Sequence, residues 1–336
     1  MSTIGAETRE QLLDELRNAE RFVLVTHENP DGDALGSLVG MHNVLKALGK
    51  DSVMFMSADE FPLPYEYRFL RLDGVVSVPP ADLDERTIVF LDCGNIDRNP
   101  ADVLKRDGAH IVNIDHHHDN TRFGTVNHVD PSASSTAEIV FRIVHELGVP
   151  LTRDIAEALY VGLVTDTGKF MYENTSPAAH RMAAELREAG VDAQHVYREL
   201  YENVPAAKVE LLARGLSALQ RFDDGAITLS HLSKADYEAT GAEEGYSEGV
   251  VDHLRALDGT IVAALVRDQL GPGRDGMRKV SLRASDDRVD VSRIARAHGG
   301  GGHPRAAGFS TQAELPELVE FLRREVADQL GTTAAA

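Results

Sequence analysis

Histidine and aspartate side chains recur in four short segments of this sequence, in spacings that suit metal binding. The densest segment is Asp115-His116-His117-His118, and the second is His27-x-x-x-Asp31-x-Asp33. Asp92 and Asp166 stand in the other two. Imidazole and carboxylate groups are common ligands of divalent metal ions. Since successive side chains point in different directions, no single segment can hold a metal pair, and we expect the four to act together.

Each segment also has an interpretation without metal. Asp33 could cap the helix that follows, with Asp31 facing its dipole. Asp92 could simply close a strand. Together, two histidines and four carboxylates form an oxygen-rich set that suits Mn²⁺ or Mg²⁺, with Co²⁺ as an alternative. The set consists of His27, Asp31, Asp33, Asp92, His116 and Asp166.

This set of ligands predicts hydrolysis of phosphoesters. Two ions roughly 3.5–4 Å apart can clamp a phosphate and lower the pKa of a water molecule. A rigid carboxylate at a strand end, such as Asp92, suits the position between the two ions. The nucleophile would be metal-activated water, so no serine or cysteine nucleophile is required. Of the three consecutive histidines, we expect one ligand and one substrate contact.

A run of four glycines near the C-terminus is the second feature with chemical potential. Gly299–Gly302 is followed directly by His303. Such a run can be a flexible linker, but Gly300, Gly301 and Gly302 would also let backbone N–H groups approach a phosphate or a base. We favour a substrate-binding loop. Arg283, on the preceding predicted strand, is a candidate phosphate ligand or else a surface arginine.

Short apolar runs predict the elements that position these residues. Strands are expected at 21–26, 53–57, 87–91 and 110–114, and helices at 7–20, 34–48, 136–147 and 154–164. Alternating strands and helices predict an N-terminal doubly wound, mainly parallel sheet, whose ligands bind beyond the carboxyl ends of the strands. Residues 177–222 look helical. Strands at 226–232, 260–267 and 279–284 and a helix at 316–330 predict a smaller C-terminal α/β domain with a mixed sheet.

Composition limits the classes of protein and partner. The chain has 336 residues and a net charge of −20, which argues against a broad basic surface for long duplex nucleic acid. This net charge is still compatible with a local basic pocket for a small substrate. Cys93 is the only cysteine, which excludes intrachain disulfides and a cysteine-rich zinc site. No apolar run spans a membrane and no signal peptide is recognisable, so we expect a cytoplasmic protein. The excess of arginine over lysine fits a GC-rich genome or, together with the acidity, a high-salt habitat.

The five segments resemble the motifs of one known family. His27-x-x-x-Asp31-Gly32-Asp33-Ala34, Asp92-Cys93-Gly94, Asp115-His116-His117 and Thr165-Asp166-Thr167-Gly168 are similar to the four motifs of the DHH phosphoesterase superfamily. The stretch 299–309 resembles the glycine-histidine motif of the DHH-associated C-terminal domain. The resemblance covers roughly residues 15–325. It implies a catalytic metal-binding domain at 1–185, a helical linker at 186–222 and a substrate-binding domain at 223–331.

The resemblance also implies a role for each matching residue. His27 and Asp31 would hold one Mn²⁺, Asp33 and His116 the other. Asp92 would bridge the two ions, and Asp166 would complete the set.

Other residues would serve the substrate. The resemblance implies that Asp115 orients its neighbours and that His117 contacts the scissile phosphate or helps the leaving group. His118 is an extra histidine without a role, unless it exchanges places with His117. The far end of the substrate would be bound across an interdomain cleft by Arg283, Gly300, Gly301, Gly302 and His303.

In length and domain content, the chain resembles the members of this family that act as oligoribonuclease and 3′-phosphoadenosine-5′-phosphate (pAp) phosphatase. We therefore expect hydrolysis of short single-stranded RNA or DNA, linear dinucleotides or pAp. The alternatives are a RecJ-like single-strand exonuclease, a cyclic dinucleotide phosphodiesterase and a pyrophosphatase. A non-catalytic nucleotide-binding protein would lack a ligand, and all six are present. No membrane partner is expected. Homodimers occur in this type of protein, although no segment of the sequence indicates one.

Overall fold

Short aliphatic runs form a six-stranded sheet in the first half of the computed structural model, which describes residues 3–61, 63–271 and 273–331. The strands are β1 (Arg21–Val25), β2 (Asp51–Phe55), β3 (Val75–Val76), β4 (Thr87–Leu91), β5 (Ile111–Asp115) and β6 (Val126–Val129). Their spatial order is β3-β2-β1-β4-β5-β6, and every pairing is parallel. The predicted parallel sheet is confirmed. The two edge strands were not predicted: β3 has only two residues, and β6 contains the polar residues Asn127 and His128.

Helices and loops cover both faces of this sheet. The helices are α1 (Thr3–Asn18), α2 (Gly32–Ala47), α3 (Thr136–Glu146), α4 (Arg153–Asp166), α5 (Pro177–Glu188) and α6 (Ala193–Tyr201). Alternate strand residues enter two separate cores, with Leu24 and Val89 in one and Val25 and Phe90 in the other. Burial on both faces explains why β4 is apolar from Ile88 to Leu91 rather than alternating between apolar and polar residues.

Helices α2 and α4 cross at very short range, and this crossing fixes two segments that carry candidate ligands. A Cβ atom on Gly36 would lie against the carbonyl oxygen of Ala158 and 2.8 Å from the backbone nitrogen of Gly162. Both obstacles are backbone atoms, which cannot turn aside as a side chain would. The crossing therefore depends on glycine.

The substitution Gly36→Ala should destabilise the protein by about 2 kcal/mol, because overpacking against backbone outweighs the gain in helix propensity. Urea denaturation followed by circular dichroism measures this. Gly74→Ala is the matched control, since a Cβ there would meet only the Met54 methyl group at 3.5 Å. Equal midpoints for the two variants would show that the helices can separate at low cost.

A second sheet of mixed direction forms the other half of the chain. Its strands are β7 (Gln220–Phe222), β8 (Ile227–Leu232), β9 (Val262–Asp268), β10 (Arg278–Ala284), β11 (Gly301–His303) and β12 (Ala306–Thr311). The order is β11-β12-β10-β9-β8-β7, with β8 and β9 parallel and the other pairs antiparallel. The helices are α7 (Ala206–Ser217), α8 (Lys234–Thr240), α9 (Val250–Arg255), α10 (Val291–Arg296) and α11 (Leu315–Leu330). The predicted mixed sheet is confirmed.

The chain divides into two compact units, Met1–Asn203 and Val204–Ala336. This boundary falls between α6 and α7, inside the stretch 186–222 that was predicted as a linker. In the second unit, the prediction of a glycine loop is wrong in part. Gly301–His303 is a strand paired with β12, so part of the predicted glycine loop belongs to the sheet. Among the described residues, none of the helices combines the length and apolar content that crossing a bilayer requires.

Candidate metal centre

The carboxyl ends of three neighbouring strands bring the candidate ligands together in the first unit. His27 follows β1, Asp92 follows β4 and His116 follows β5, as the strand pattern predicts. Asp33 lies in the first turn of α2, and Asp166 is the last residue of α4. The side chains form groups whose ligand atoms lie within 4.8 Å of one another. These groups are His27, Asp31 and Asp92; Asp33, His116 and Asp166; and Asp92, His116 and His117.

Asp92 belongs to two of these three groups. Its Oδ2 lies 3.6 Å from Nε2 of His27, and its Oδ1 lies 3.6 Å from Nε2 of His116. Burial tends to raise the pKa of Asp92, but the surrounding histidines lower it. The backbone of Asp92 has a φ of 58°, a left-handed conformation that costs a non-glycine residue roughly 1–3 kcal/mol. The fold thus holds this carboxylate under strain, with its two oxygens facing different groups.

The other buried carboxylates repel each other. Burial and the charges of Asp92 and Asp166 raise the pKa of Asp33. Burial also raises the pKa of Asp166 to about 7, where the charge of Asp92 adds to the effect and His116 opposes it. A divalent cation among these oxygens would offset both the repulsion and the loss of hydration. The donor set therefore fits one or more hard divalent ions.

Asp31 has a structural contact as well as a place in the cluster. Its Oδ1 accepts hydrogen bonds from the backbone nitrogens of Asp33 and Ala34, at 3.0 and 3.1 Å, and so caps α2. The alternative in which Asp33 is the cap is therefore wrong. Asp31 can serve both purposes, because a cap occupies one carboxylate oxygen and Asp31 still lies in one group with His27 and Asp92.

His117 is oriented by Asp115, which is fully buried at the end of β5. The Nδ1 of His117 lies 2.8 Å from Oδ1 of Asp115, whose other oxygen accepts a hydrogen bond from Asn120 at 2.5 Å. Burial opposes protonation of His117, but the hydrogen bond to Asp115 and the charge of Asp92 raise its pKa to about 9. His118, by contrast, is exposed.

The sequence analysis missed the N-terminus of α3, which contacts two of the candidate ligands. The backbone nitrogens of Thr136 and Ala137 donate to the two oxygens of Asp33, at 2.6 and 2.9 Å. The hydroxyl of Thr136 donates to Oδ1 of Asp92 at 3.0 Å. These contacts join residues more than forty positions apart, so no local pattern could have predicted them. In the sequence, the only signal near these contacts was a turn directly before a helix.

A buried polar network holds this N-terminus in place. Glu138 accepts hydrogen bonds from the backbone nitrogen and hydroxyl of Ser134, at 2.8 and 2.6 Å. Arg142 pairs with Glu138 and also donates to Asp130 at 2.6 Å. Ser134 in turn accepts from the Asn174 side chain at 2.8 Å.

Asn174 extends this network to Asp166. Its amide nitrogen also lies 3.2 Å from Oδ2 of Asp166. Hydrogen bonds from side chains that are not themselves candidate ligands therefore hold the candidate ligands in position.

The substrate-binding candidates lie in the second unit and share one row of its sheet. Arg283 on β10 pairs with Ala306 on β12, which pairs with His303 on β11. Directly paired residues point to the same face of a sheet, so Arg283 and His303 lie on one face. Nε of Arg283 lies 3.6 Å from the Asp252 carboxylate.

The glycines of this segment have different explanations. A Cβ on Gly302 would lie 2.6 Å from the Cα of Ala307, and one on Gly300 would lie 2.8 Å from the Cα of Phe309. Packing against β12 thus requires both glycines. Gly301 is exposed, and a Cβ there would meet nothing within 4 Å, so packing does not require glycine at this position.

Two family models and a curated relative match this chain. The family model for the N-terminal domain of the DHH family matches residues 21–163, and the DHHA1 domain model matches residues 233–328. The bifunctional oligoribonuclease and PAP phosphatase NrnA of Thermus thermophilus is 34% identical over 310 residues, which cover 91% of this chain and 89% of that protein.

Two solved structures share the fold. An exopolyphosphatase-related protein from Bacteroides fragilis has a TM-score of 0.87 at 23% identity, and 98% of each chain is covered. RecJ from Thermus thermophilus in complex with Mn²⁺ has a TM-score of 0.58 at 16% identity, covering 100% of this chain and 56% of RecJ. The chain belongs to the DHH phosphoesterase family.

Proposed function

We propose that this phosphoesterase uses two Mn²⁺ ions to hydrolyse short oligonucleotides and linear dinucleotides to mononucleotides, and pAp to AMP. The observation that carries the proposal is the position of Asp92, whose two oxygens face different groups of ligand atoms. A carboxylate placed in this way is suited to bridge two ions. The names of the relative from Thermus thermophilus, oligoribonuclease and PAP phosphatase, support the choice of substrates.

The candidate ligands divide between the two ions in this proposal. His27 and Asp31 would hold one ion, Asp33, His116 and Asp166 would hold the other, and Asp92 would touch both. When bound, the ions supply positive charge to the phosphate oxygens and lower the pKa of the attacking water. Mn²⁺ is the ion bound in the RecJ structure of the same fold, while Mg²⁺ and Co²⁺ suit the same donor set.

The remaining residues would orient and bind the substrate. Asp115 holds the Nδ1 of His117, which would leave that imidazole aimed at the scissile phosphate or the leaving oxygen. In the second unit, Arg283 and His303 would contact another part of the substrate, together with the backbone of the segment Gly300–Gly302. A guanidinium is suited to a terminal phosphate because it can form two parallel hydrogen bonds.

Net charge favours small substrates over long strands. A charge of −20 repels a long polyanion, whereas a short substrate needs only a local basic contact. The second candidate is a RecJ-like single-strand exonuclease, which the shared fold with RecJ favours. A cyclic dinucleotide phosphodiesterase is the third. Substrate length and ends distinguish these three activities.

The test is a substrate panel assayed with Mn²⁺, Mg²⁺ or Co²⁺. The panel contains RNA of two, three, five and twenty-four nucleotides, pAp, the linear dinucleotide pApA and cyclic di-AMP. We expect kcat/KM to be highest for the shortest RNAs and for pApA, with measurable release of phosphate from pAp. A preference for the twenty-four-nucleotide strand would favour the RecJ-like activity. No hydrolysis of any substrate by metal-loaded protein would refute the proposal.

A further inference from the structure

A short segment after α4 exposes two large side chains beside the candidate metal centre. The segment 167–174 begins directly after Asp166. Within it, Met171 is 81% exposed and Tyr172 is 53% exposed. Large apolar side chains at such exposure need no explanation when they are scattered singly, but here two adjacent ones follow a candidate metal ligand.

The backbone of this segment is well ordered by hydrogen bonds. The carbonyl oxygen of Thr167 accepts from the nitrogens of both Met171 and Tyr172 at 3.0 Å. Lys169 and Phe170 have φ angles of 62° and 65°, in the left-handed region that side-chain-bearing residues rarely adopt. Strained positions of this kind cluster at functional sites. The segment thus keeps a definite shape while presenting apolar groups to solvent.

The segment folds back on itself and is tied to Asp166 at its far end. The ring of Tyr172 folds back over Gly168, where a Cβ atom would lie 2.5 Å from it. The side chain of Asn174 donates to the carbonyl oxygen of Asp166 at 3.1 Å and to its carboxylate at 3.2 Å. The exposed pair is therefore held at a fixed position relative to the metal centre.

The neighbouring side chains suit a nucleotide. The Nζ of Lys169 lies 4.5 Å from the centre of the Tyr201 ring. Burial raises the pKa of Tyr201, and the nearby hydroxyls of Tyr172 and Tyr197 add to that effect. A flat aromatic ring and a thioether beside an ammonium group offer stacking for a base and charge for a phosphate.

We propose that Met171 and Tyr172 form a stacking surface for a nucleobase of the substrate. This inference rests on the proposed function, since it assumes that a nucleotide phosphate reaches the metal centre. The surface accepts any base, because every base has a π face. Such a surface would let the enzyme select nucleotides over other phosphoesters without selecting a particular base.

The test compares Tyr172→Ala with Tyr172→Phe, which keeps the ring. Steady-state kinetics are measured on pApA and on an analogue of pApA that lacks the base next to the scissile phosphate. We expect Tyr172→Ala to raise KM for pApA about tenfold, the factor that a stacking contact of ordinary strength supplies. Its kcat should change little, because stacking is the same in the ground state and the transition state. Tyr172→Phe should match the wild type.

The abasic analogue separates stacking from a general defect. For that substrate, Tyr172→Ala and the wild type should have equal KM values. Val78→Ala, which shortens a side chain that is 73% exposed, serves as the control for loss of surface apolar area. Equal KM values for Tyr172→Ala and wild type on pApA would overturn the inference, as would a changed oligomeric state in light scattering at unchanged KM. Inactivity of the wild type itself would instead count against the proposed function.

Discussion

The substitution Asp92→Asn should abolish hydrolysis of every substrate in the panel, with kcat/KM lower by about a thousandfold or more. Charge stabilisation by a metal ion is worth several kcal/mol, and each 1.36 kcal/mol changes a rate about tenfold. Asparagine keeps the size of aspartate but lacks the negative charge, and its nitrogen cannot bind an ion. Since the two oxygens of Asp92 face different groups, one ion would lose its ligand and the other would keep only a neutral carbonyl oxygen.

This loss of activity should occur in a protein that is still folded. Asparagine adopts a φ near the 58° of Asp92 more readily than most residues do. Removing the charge relieves the repulsion with Asp33 and Asp166 but also removes the attraction of the histidines that lowers the pKa of Asp92, so the metal-free protein should melt at a modestly lower temperature. Circular dichroism and thermal melting with EDTA measure both points. Asp102→Asn, at a carboxylate whose side chain is 97% exposed, is the control. If kcat/KM of Asp92→Asn stayed within about threefold of the wild type, the assignment of the metal centre would be wrong.

Strand ends were predictable because the signal is local. The strands β1, β4 and β5 consist mostly of buried apolar residues, and each is followed at once by a polar residue. Parallel strands bring their carboxyl ends to the same edge of the sheet, so polar residues that follow neighbouring strands are expected to lie close together. The alternation of elements therefore sufficed to predict the sheet and the meeting of His27, Asp92 and His116.

Contacts between segments that are distant in the sequence could not be predicted from local patterns. The hydroxyl of Thr136 reaches Asp92 only because α3 begins beside the end of β4, and helix patterns do not predict where a helix begins in space. The same holds for Asn174, whose bonds to Ser134 and Asp166 depend on the left-handed turn after α4. Gly300 and Gly302 were predicted to bind the substrate, but their close packing on β12 also explains why these positions are glycine. A sequence motif alone does not separate these two causes.

The network behind the metal centre leads to a second large effect, at Thr136. The substitution Thr136→Val keeps the shape of the buried side chain and removes its hydroxyl, so Oδ1 of Asp92 loses the hydrogen bond of 3.0 Å. Loss of an outer hydrogen bond to a metal ligand typically costs about 10–100-fold in metal affinity or activity. We expect a loss in that range, both in kcat and in the affinity for Mn²⁺. The affinity is measured independently of turnover, from the electron paramagnetic resonance signal of free Mn²⁺ during a titration.

Thr136→Ser is the matched variant, because it keeps the hydroxyl and loses only a methyl group. It should restore Mn²⁺ affinity and kcat to near the wild-type values, although the small cavity it leaves should lower the melting temperature. The backbone nitrogen of Thr136 still donates to Asp33 in both variants, so the position of α3 should not change. If Thr136→Ser were as impaired as Thr136→Val, packing rather than the hydroxyl would explain the loss. If Thr136→Val bound Mn²⁺ like the wild type, the hydrogen bond would have no part in positioning Asp92.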